Sequence, residues 1–142
     1  NLGTALKEQE SFADAEKCYR RAVELSPVYV EAHSNLATAL KEEGKLEEAI
    51  ASYRRALALM PEFAEAQHGM GTALRELGEI DEALVCYERA IALKPDFAEA
   101  HLNLGALLMA MGQTAEARQH VSEAIQLDPK LAEYGEKILG GR

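Results

Sequence analysis

The only prolines of the chain, Pro27, Pro61, Pro95 and Pro129, recur at one constant interval of 34 residues. A fixed period of this size is the mark of stacked repeats rather than of one closed core. Aligned on the prolines, the sequence overlays without gaps as units 30–63, 64–97 and 98–131. An incomplete unit, 1–29, precedes them and a tail, 132–142, follows. A stack of this kind offers a long open surface instead of a sealed pocket, and such surfaces bind other chains.

Each complete unit holds two apolar-periodic segments. Leu36, Ala39 and Leu40 keep the i, i+3, i+4 spacing of a helix face, as do Ala49, Ile50, Tyr53, Ala56 and Leu57. Gly44, Gly78 and Gly112 separate the segments, where a left-handed residue ends the first helix. The proline then stops the second helix. The pattern predicts antiparallel helix hairpins over 1–9, 12–25, 30–43, 46–59, 64–77, 80–93, 98–111 and 114–127, closed by a capping helix over 130–139. Recurrent alanines (Ala15, Ala49, Ala83, Ala117 and Ala22, Ala56, Ala90, Ala124) let backbones approach. Tyr19, Tyr53, Tyr87 and Val121 fill the space between them. Tyr29, Phe63, Phe97 and Leu131, two residues after each proline, are placed to wedge consecutive units together. In the first unit Glu10 stands where the others have glycine.

Composition narrows the partners. The formal net charge is −9 and the pI is near 4.9, which disfavours nucleic acid, because phosphate binding rests on clustered Lys and Arg. Basic or neutral polypeptides remain. No apolar run approaches the roughly 20 residues of a membrane span, so no membrane partner is expected. The chain opens at Asn1 without methionine, which reads as a piece of a longer protein. Cys18 and Cys86 share one repeat position two units apart, too distant for a disulfide. Two free thiols point to a reducing compartment and a cytoplasmic location.

No His-x-x-x-His or Cys/His cluster, phosphate loop or nucleophile–base grouping is visible. No metal, cofactor or enzymatic activity is therefore expected. His33 and His101 are expected to pack between paired helices rather than to act as ligands.

The combined pattern resembles the tetratricopeptide repeat family, whose 34-residue unit reads W-x2-L-G-x2-Y…A-x3-F…P. In the second unit the matching residues are His33, Leu36, Ala37, Leu40, Ala49, Tyr53, Ala56 and Pro61. In the third they are Gln67, Met70, Gly71, Leu74, Ala83, Tyr87, Ala90 and Pro95. The fourth has His101, Leu104, Gly105, Leu108, Ala117, Val121, Ala124 and Pro129, and the first Leu2, Gly3, Leu6, Ala15, Tyr19, Ala22 and Pro27. The resemblance implies an all-α, right-handed superhelical solenoid that binds a protein or an extended peptide in its concave groove. The strings Asn1-Leu2-Gly3, Asn35-Leu36-Ala37 and Asn103-Leu104-Gly105 are also similar to the repeats of protein O-GlcNAc transferases. In that family asparagines at this position hold the backbone of an extended polypeptide.

The expected peptide-binding residues are Asn1, Asn35 and Asn103, with Thr38 and Thr72, Lys41 and Arg75, and Glu31, Glu65 and Glu99. Thr4 and Lys7 extend the second and third columns into the first unit. A primary amide supplies both a donor and an acceptor, which suits a peptide backbone; the same asparagines could instead bond neighbouring helix backbone. The glutamates begin their helices, where the helix dipole also favours them. In the last unit Leu102, Ala106 and Met109 turn the surface apolar, a place for a hydrophobic ligand residue or another chain. Gly69 interrupts the asparagine column and predicts a softer, more open groove at the third unit. Glu65 and Gly69 occupy places that a carboxylate clamp for chaperone tails fills with basic residues, which disfavours that role.

Two alternatives to the interaction scaffold stay open. One is a substrate-recruiting region of a larger glycosyltransferase. The other is a structural self-assembly module. The incomplete first unit predicts fraying, or head-to-tail self-association, at the N-terminal end.

Overall fold

The computed structural model describes the backbone of residues 2–140 and the side chains from Ser11 to Gly140. Asn1 lies outside the described residues, as do the side chains of Thr4 and Lys7. Eight α-helices follow one another: α1 (Leu2–Leu25), α2 (Val30–Glu42), α3 (Leu46–Leu59), α4 (Ala64–Glu76), α5 (Ile80–Leu93), α6 (Ala98–Ala110), α7 (Thr114–Leu127) and α8 (Ala132–Ile138). A single 3-10 turn, Pro129–Leu131, leads into α8. Each helix packs chiefly on its neighbours in sequence; in addition α2 touches α4, and α8 covers α6. The result is an all-α solenoid with the first helices of successive hairpins in one layer and the second helices in the other.

Glycine sets the hairpin turns. Gly44, Gly78 and Gly112 adopt φ of 82°, 87° and 83°. That left-handed conformation lets the amide of the following residue reach back across the turn. Lys45 N donates to Leu40 O at 2.8 Å, and Glu79 and Gln113 repeat the bond to Leu74 and Leu108 at 2.9 Å. These 6→1 bonds satisfy helix-end carbonyls that would otherwise lack partners. The residue before each later proline is extended (Met60, Lys94 and Asp128 near φ −140°), as steric conflict with the proline ring requires.

The first unit departs from the expected pair of helices at 1–9 and 12–25. The chain there is one helix, α1, running from Leu2 to Leu25. The cause is local. A left-handed residue at position 10 would cost glutamate roughly 1–2 kcal/mol, whereas glutamate is a good helix former. With no glycine to turn on, the helix continues.

The core runs through the stack as the sequence pattern requires. Ala49, Tyr53, Ala56, Ala83, Tyr87, Ala90, Ala117, Val121 and Ala124 are all buried, as are Leu36, Leu40, Leu74, Leu104 and Leu108. At the C-terminal end Gly135 of α8 is buried, and a Cβ there would strike Val121 and Ile125 of α7. Leu131, Ile138 and Leu139 are half-buried beside it, as expected of a cap.

Candidate functional site

The layer of first helices carries the candidate residues. On α2, Glu31, Asn35 and Thr38 are exposed and follow one another at helical spacing along one stripe. Asn35 makes no side-chain hydrogen bond among the described residues. Lys41 continues the stripe, half-buried, with Glu42 4.0 Å away. The α4 stripe is Glu65, Gly69, Thr72 and Arg75. Glu65 is exposed and is met by Lys94 Nζ at 3.4 Å, which itself lies 4.9 Å above the Phe97 ring. On α6 the stripe is Glu99, Asn103, Ala106 and Met109, with Leu102 beside it. Glu99 is exposed and the others are half-buried. Met109 packs partly against the core, so the apolar patch of the last unit is only half open.

The threonines serve the fold as well as the surface. Thr38 Oγ1 donates to Ser34 O at 3.1 Å and lies 2.9 Å from the hydroxyl of buried Tyr53. Thr72 repeats this with His68 O at 3.2 Å and the Tyr87 hydroxyl at 3.1 Å. The fourth unit lacks both members: Ala106 stands in the register of Thr38, and Val121 in that of Tyr53.

Asn103 is engaged by its neighbour. Its Nδ2 donates to His68 Nε2 at 2.7 Å, which ties α6 to α4 across the layer. His68 also packs against Phe97, with ring centroids 4.9 Å apart, and against Tyr87 at 5.7 Å. Burial, reinforced by the charges of Lys41 and Arg75, lowers its pKa to about 4, so the ring is neutral at pH 7. A neutral ring can accept the asparagine proton at Nε2. His68 escapes a reading of the sequence because its column holds no other histidine; its spacing of 35 residues from Asn103 is the signal that could have found it.

Gly69 is not an opening in the groove. It is buried, and a Cβ at that point would overlap the Tyr53 phenol. The glycine admits the phenol of Tyr53 from the preceding unit.

His33 and His101 are buried between paired helices. Each donates through Nε2 to a proline carbonyl, Pro27 O at 2.7 Å and Pro95 O at 2.9 Å. The carbonyl can only accept, so Nε2 carries the proton. His101 Nδ1 and His120 Nδ1 lie 3.2 Å apart, with the rings stacked. Burial, then the neighbouring His101, lowers the His120 pKa.

A polar anchor absent from the expectations joins α1 to the next hairpin. Glu16 is buried, and its carboxylate accepts from Arg20 Nε at 2.7 Å and from Lys45 Nζ at 2.9 Å. Lys45 also pairs with Glu43 at 3.2 Å. The Lys45 contact, foremost, lowers the Glu16 pKa to about 2. The other units place Ile50, Leu84 and Arg118 at this position.

Among the described residues no group of three or more His, Cys, Asp or Glu is placed to hold a metal ion, and no helix is long and apolar enough to cross a membrane. Cys18 is exposed and Cys86 buried, both as free thiols.

Helix hairpins of 34 residues stacked in two layers, with glycine turns and proline stops, define a helical-repeat solenoid. The tetratricopeptide repeat pattern matches residues 1–65 and 98–131, and a TPR repeat pattern matches 71–112. The chain belongs to the tetratricopeptide repeat family. Among solved structures it is similar to MamA, at 25 % identity and a TM-score of 0.82 over 99 % of this chain and 81 % of that one. A second MamA structure matches at 25 % identity and a TM-score of 0.81, over 97 % of this chain and 75 % of that chain. The first TPR of Spaghetti (RPAP3), bound to an HSP90 peptide, matches at 21 % identity and a TM-score of 0.74, over 78 % of this chain and 87 % of that one. No curated protein matches the sequence.

Proposed function

We propose that this chain is a non-catalytic interaction scaffold, one array of units 1–29, 30–63, 64–97 and 98–131 with its capping tail, that holds an extended polypeptide along its first helices. The exposed stripe Glu31–Asn35–Thr38 on α2 carries the reading. An asparagine in mid-helix is a mediocre helix former, and its amide offers a donor and an acceptor to a peptide backbone. Lys41 and Arg75, half-buried beside the column, would tune the selectivity of the groove by their charge. Leu102 and Met109 would receive an apolar side chain at the far end. Asn103 takes part through its oxygen and its second N–H, since one N–H is given to His68. Glu65 and Glu99, at the starts of their helices, would select against acidic residues there, and Thr72 would contribute its spare lone pair. Asn1 belongs to the same column. The free thiols support a reducing, cytoplasmic setting.

The RPAP3 repeat, which shares this fold, was captured with a peptide. A substrate-recruiting role within a larger glycosyltransferase is the second reading, favoured by the shared Asn-Leu register of Asn35 and Asn103.

A peptide array probed with the whole chain tests the proposal. Asn35→Ala is expected to weaken binding about five-fold, the value of one hydrogen bond of roughly 1 kcal/mol. Unchanged binding of Asn35→Ala and Asn103→Ala would remove the asparagine column from the mechanism.

A further inference from the structure

In the three complete units the second helix presents Ala–Tyr/Val–Ala to the first helix of its own hairpin, and all nine residues are buried. In α1 the same register is Ala15, Tyr19 and Ala22, and all three are only half-buried. Cys18 is exposed, although its register mates Ser52 and Cys86 are buried. Among the described residues no first helix covers this face of α1.

The residues that would fill a first-helix seat there are in the chain. Leu2, Gly3 and Leu6 stand in the register of Leu36, Ala37 and Leu40. Thr4 precedes Tyr19 by the 15 residues that separate Thr38 from Tyr53 and Thr72 from Tyr87. Yet α1 is a single helix, and 15 residues of helix rise about 22 Å. Thr4 and Tyr19 of one chain are therefore kept apart, and residues 2–9 cannot lie on the helix of which they are the straight continuation.

We propose that two copies of this chain pair antiparallel through α1, residues 2–9 of each filling the vacant first-helix seat of the other. The intra-hairpin contacts fix the register: Thr38 meets Tyr53, and a Cβ at Gly71 would lie 3.1 Å from Cys86 Cβ. Shifted to the first unit, these pairs become Thr4 with Tyr19 and Gly3 with Cys18, which centres a two-fold axis near Ser11. The contact is isologous, as closed dimers require, and differs from a head-to-tail chain. The second copy is the occupant because the seam continues one that the chain already makes within each of its three complete units. The paired stretch runs about 28 Å along each helix. Glu10 is the device: without glycine the hairpin opens, and its halves find each other in trans. The pairing is independent of peptide binding in the groove.

Light scattering on the 142-residue chain is expected to give twice 15.5 kDa at high micromolar concentration. In Gly3→Cys, mild oxidation is expected to link the introduced thiol to Cys18 of the second copy, giving a covalent dimer on a non-reducing gel that Gly3→Cys/Cys18→Ser loses. Glu10→Gly, which restores the turn residue, is expected to halve the mass, and in Gly3→Cys/Glu10→Gly the link becomes intramolecular. A monomeric parent chain, or a dimer that neither cross-links in Gly3→Cys nor dissociates in Glu10→Gly, overturns the proposal. The mass of the unmodified chain and the Glu10→Gly shift remain informative if Gly3→Cys folds poorly.

Discussion

The hydroxyl of Tyr53 lies 2.9 Å from that of Thr38, and this bond links the buried seam of a hairpin to the exposed stripe of its first helix. Tyr53 is 1 % exposed, so its hydroxyl has no recourse to water, whereas Thr38 is exposed and has Ser34 O as a second partner. The two deletions are therefore unequal. Thr38→Ala strands a buried hydroxyl and is expected to cost about 1–3 kcal/mol; Tyr53→Phe leaves nothing buried unpaired and should cost about 1 kcal/mol or less. The double variant should be more stable than Thr38→Ala alone. Urea unfolding of the three variants checks the order, and equal losses for the two single variants would contradict it. The fourth unit is the natural precedent, with Ala106 and Val121 at the two positions.

Gly69 meets the same tyrosine from the next unit. In most exposed helical positions replacing glycine by alanine adds roughly 1 kcal/mol of stability. Here the new Cβ would overlap the Tyr53 phenol, and overpacking costs typically 1–3 kcal/mol. Gly69→Ala is expected to lower the thermal midpoint, and Tyr53→Phe, which removes the phenol oxygen from the overlap, to restore part of the loss in the double variant. A midpoint raised by Gly69→Ala would show that the phenol yields freely.

These two residues show what a sequence can and cannot disclose. The proline interval locates the hairpins because period, turn glycine and stop are local properties, each set by a few adjacent dihedrals. Glu10 is visible as an irregularity, but its consequence, a helix of 24 residues, depends on weighing a turn against its continuation. Gly69 is legible as a break in a column, while the side chain that occupies its space lies 16 residues upstream in the neighbouring unit. The His68–Asn103 bond and the Glu16–Lys45 anchor join residues whose columns are otherwise filled by unrelated types. No repetition marks such pairs, so only the packing of adjacent units reveals them.

His68 ties the stability of the stack to pH in a defined window. The groups that face it are Asn103, Tyr87 and Phe97 in contact, with the charges of Lys41, Arg75 and Glu65 nearby. Its folded pKa of about 4 lies below the ordinary 6.5, so the unfolded chain takes up the proton first. Stability is full above pH 6.5 and falls as the pH drops towards 4, and protonation of Nε2 breaks the bond from Asn103. An NMR titration should find the His68 ring neutral at pH 5.5. His68→Gln is expected to flatten the stability profile between pH 6.5 and 4. A His68 titration midpoint near 6.5 would contradict the burial of the ring.

Glu16 acts with the opposite chemistry and in a lower window. Lys45 and Arg20 hold the folded carboxylate at a pKa of about 2, below the ordinary 4.5. For an acid with a depressed pKa the unfolded chain again binds the proton first, so the contribution is complete above pH 4.5 and is lost as the pH falls towards 2. Because the carboxylate bridges α1 to Lys45 in the turn before α3, the loss should be felt first at the N-terminal end. Hydrogen exchange at pH 3 is expected to show α1 opening before α4–α7. Glu16→Gln keeps the shape of the side chain and removes its charge; it should lower stability at pH 7 and abolish the dependence between pH 4.5 and 2. Glu16→Ile, which copies Ile50 of the next unit, should abolish the same dependence while recovering stability at pH 7 through apolar contact. If α1 exchanged no faster at pH 3 than at pH 6 after correction for intrinsic rates, the carboxylate would not be what fastens α1 to the stack.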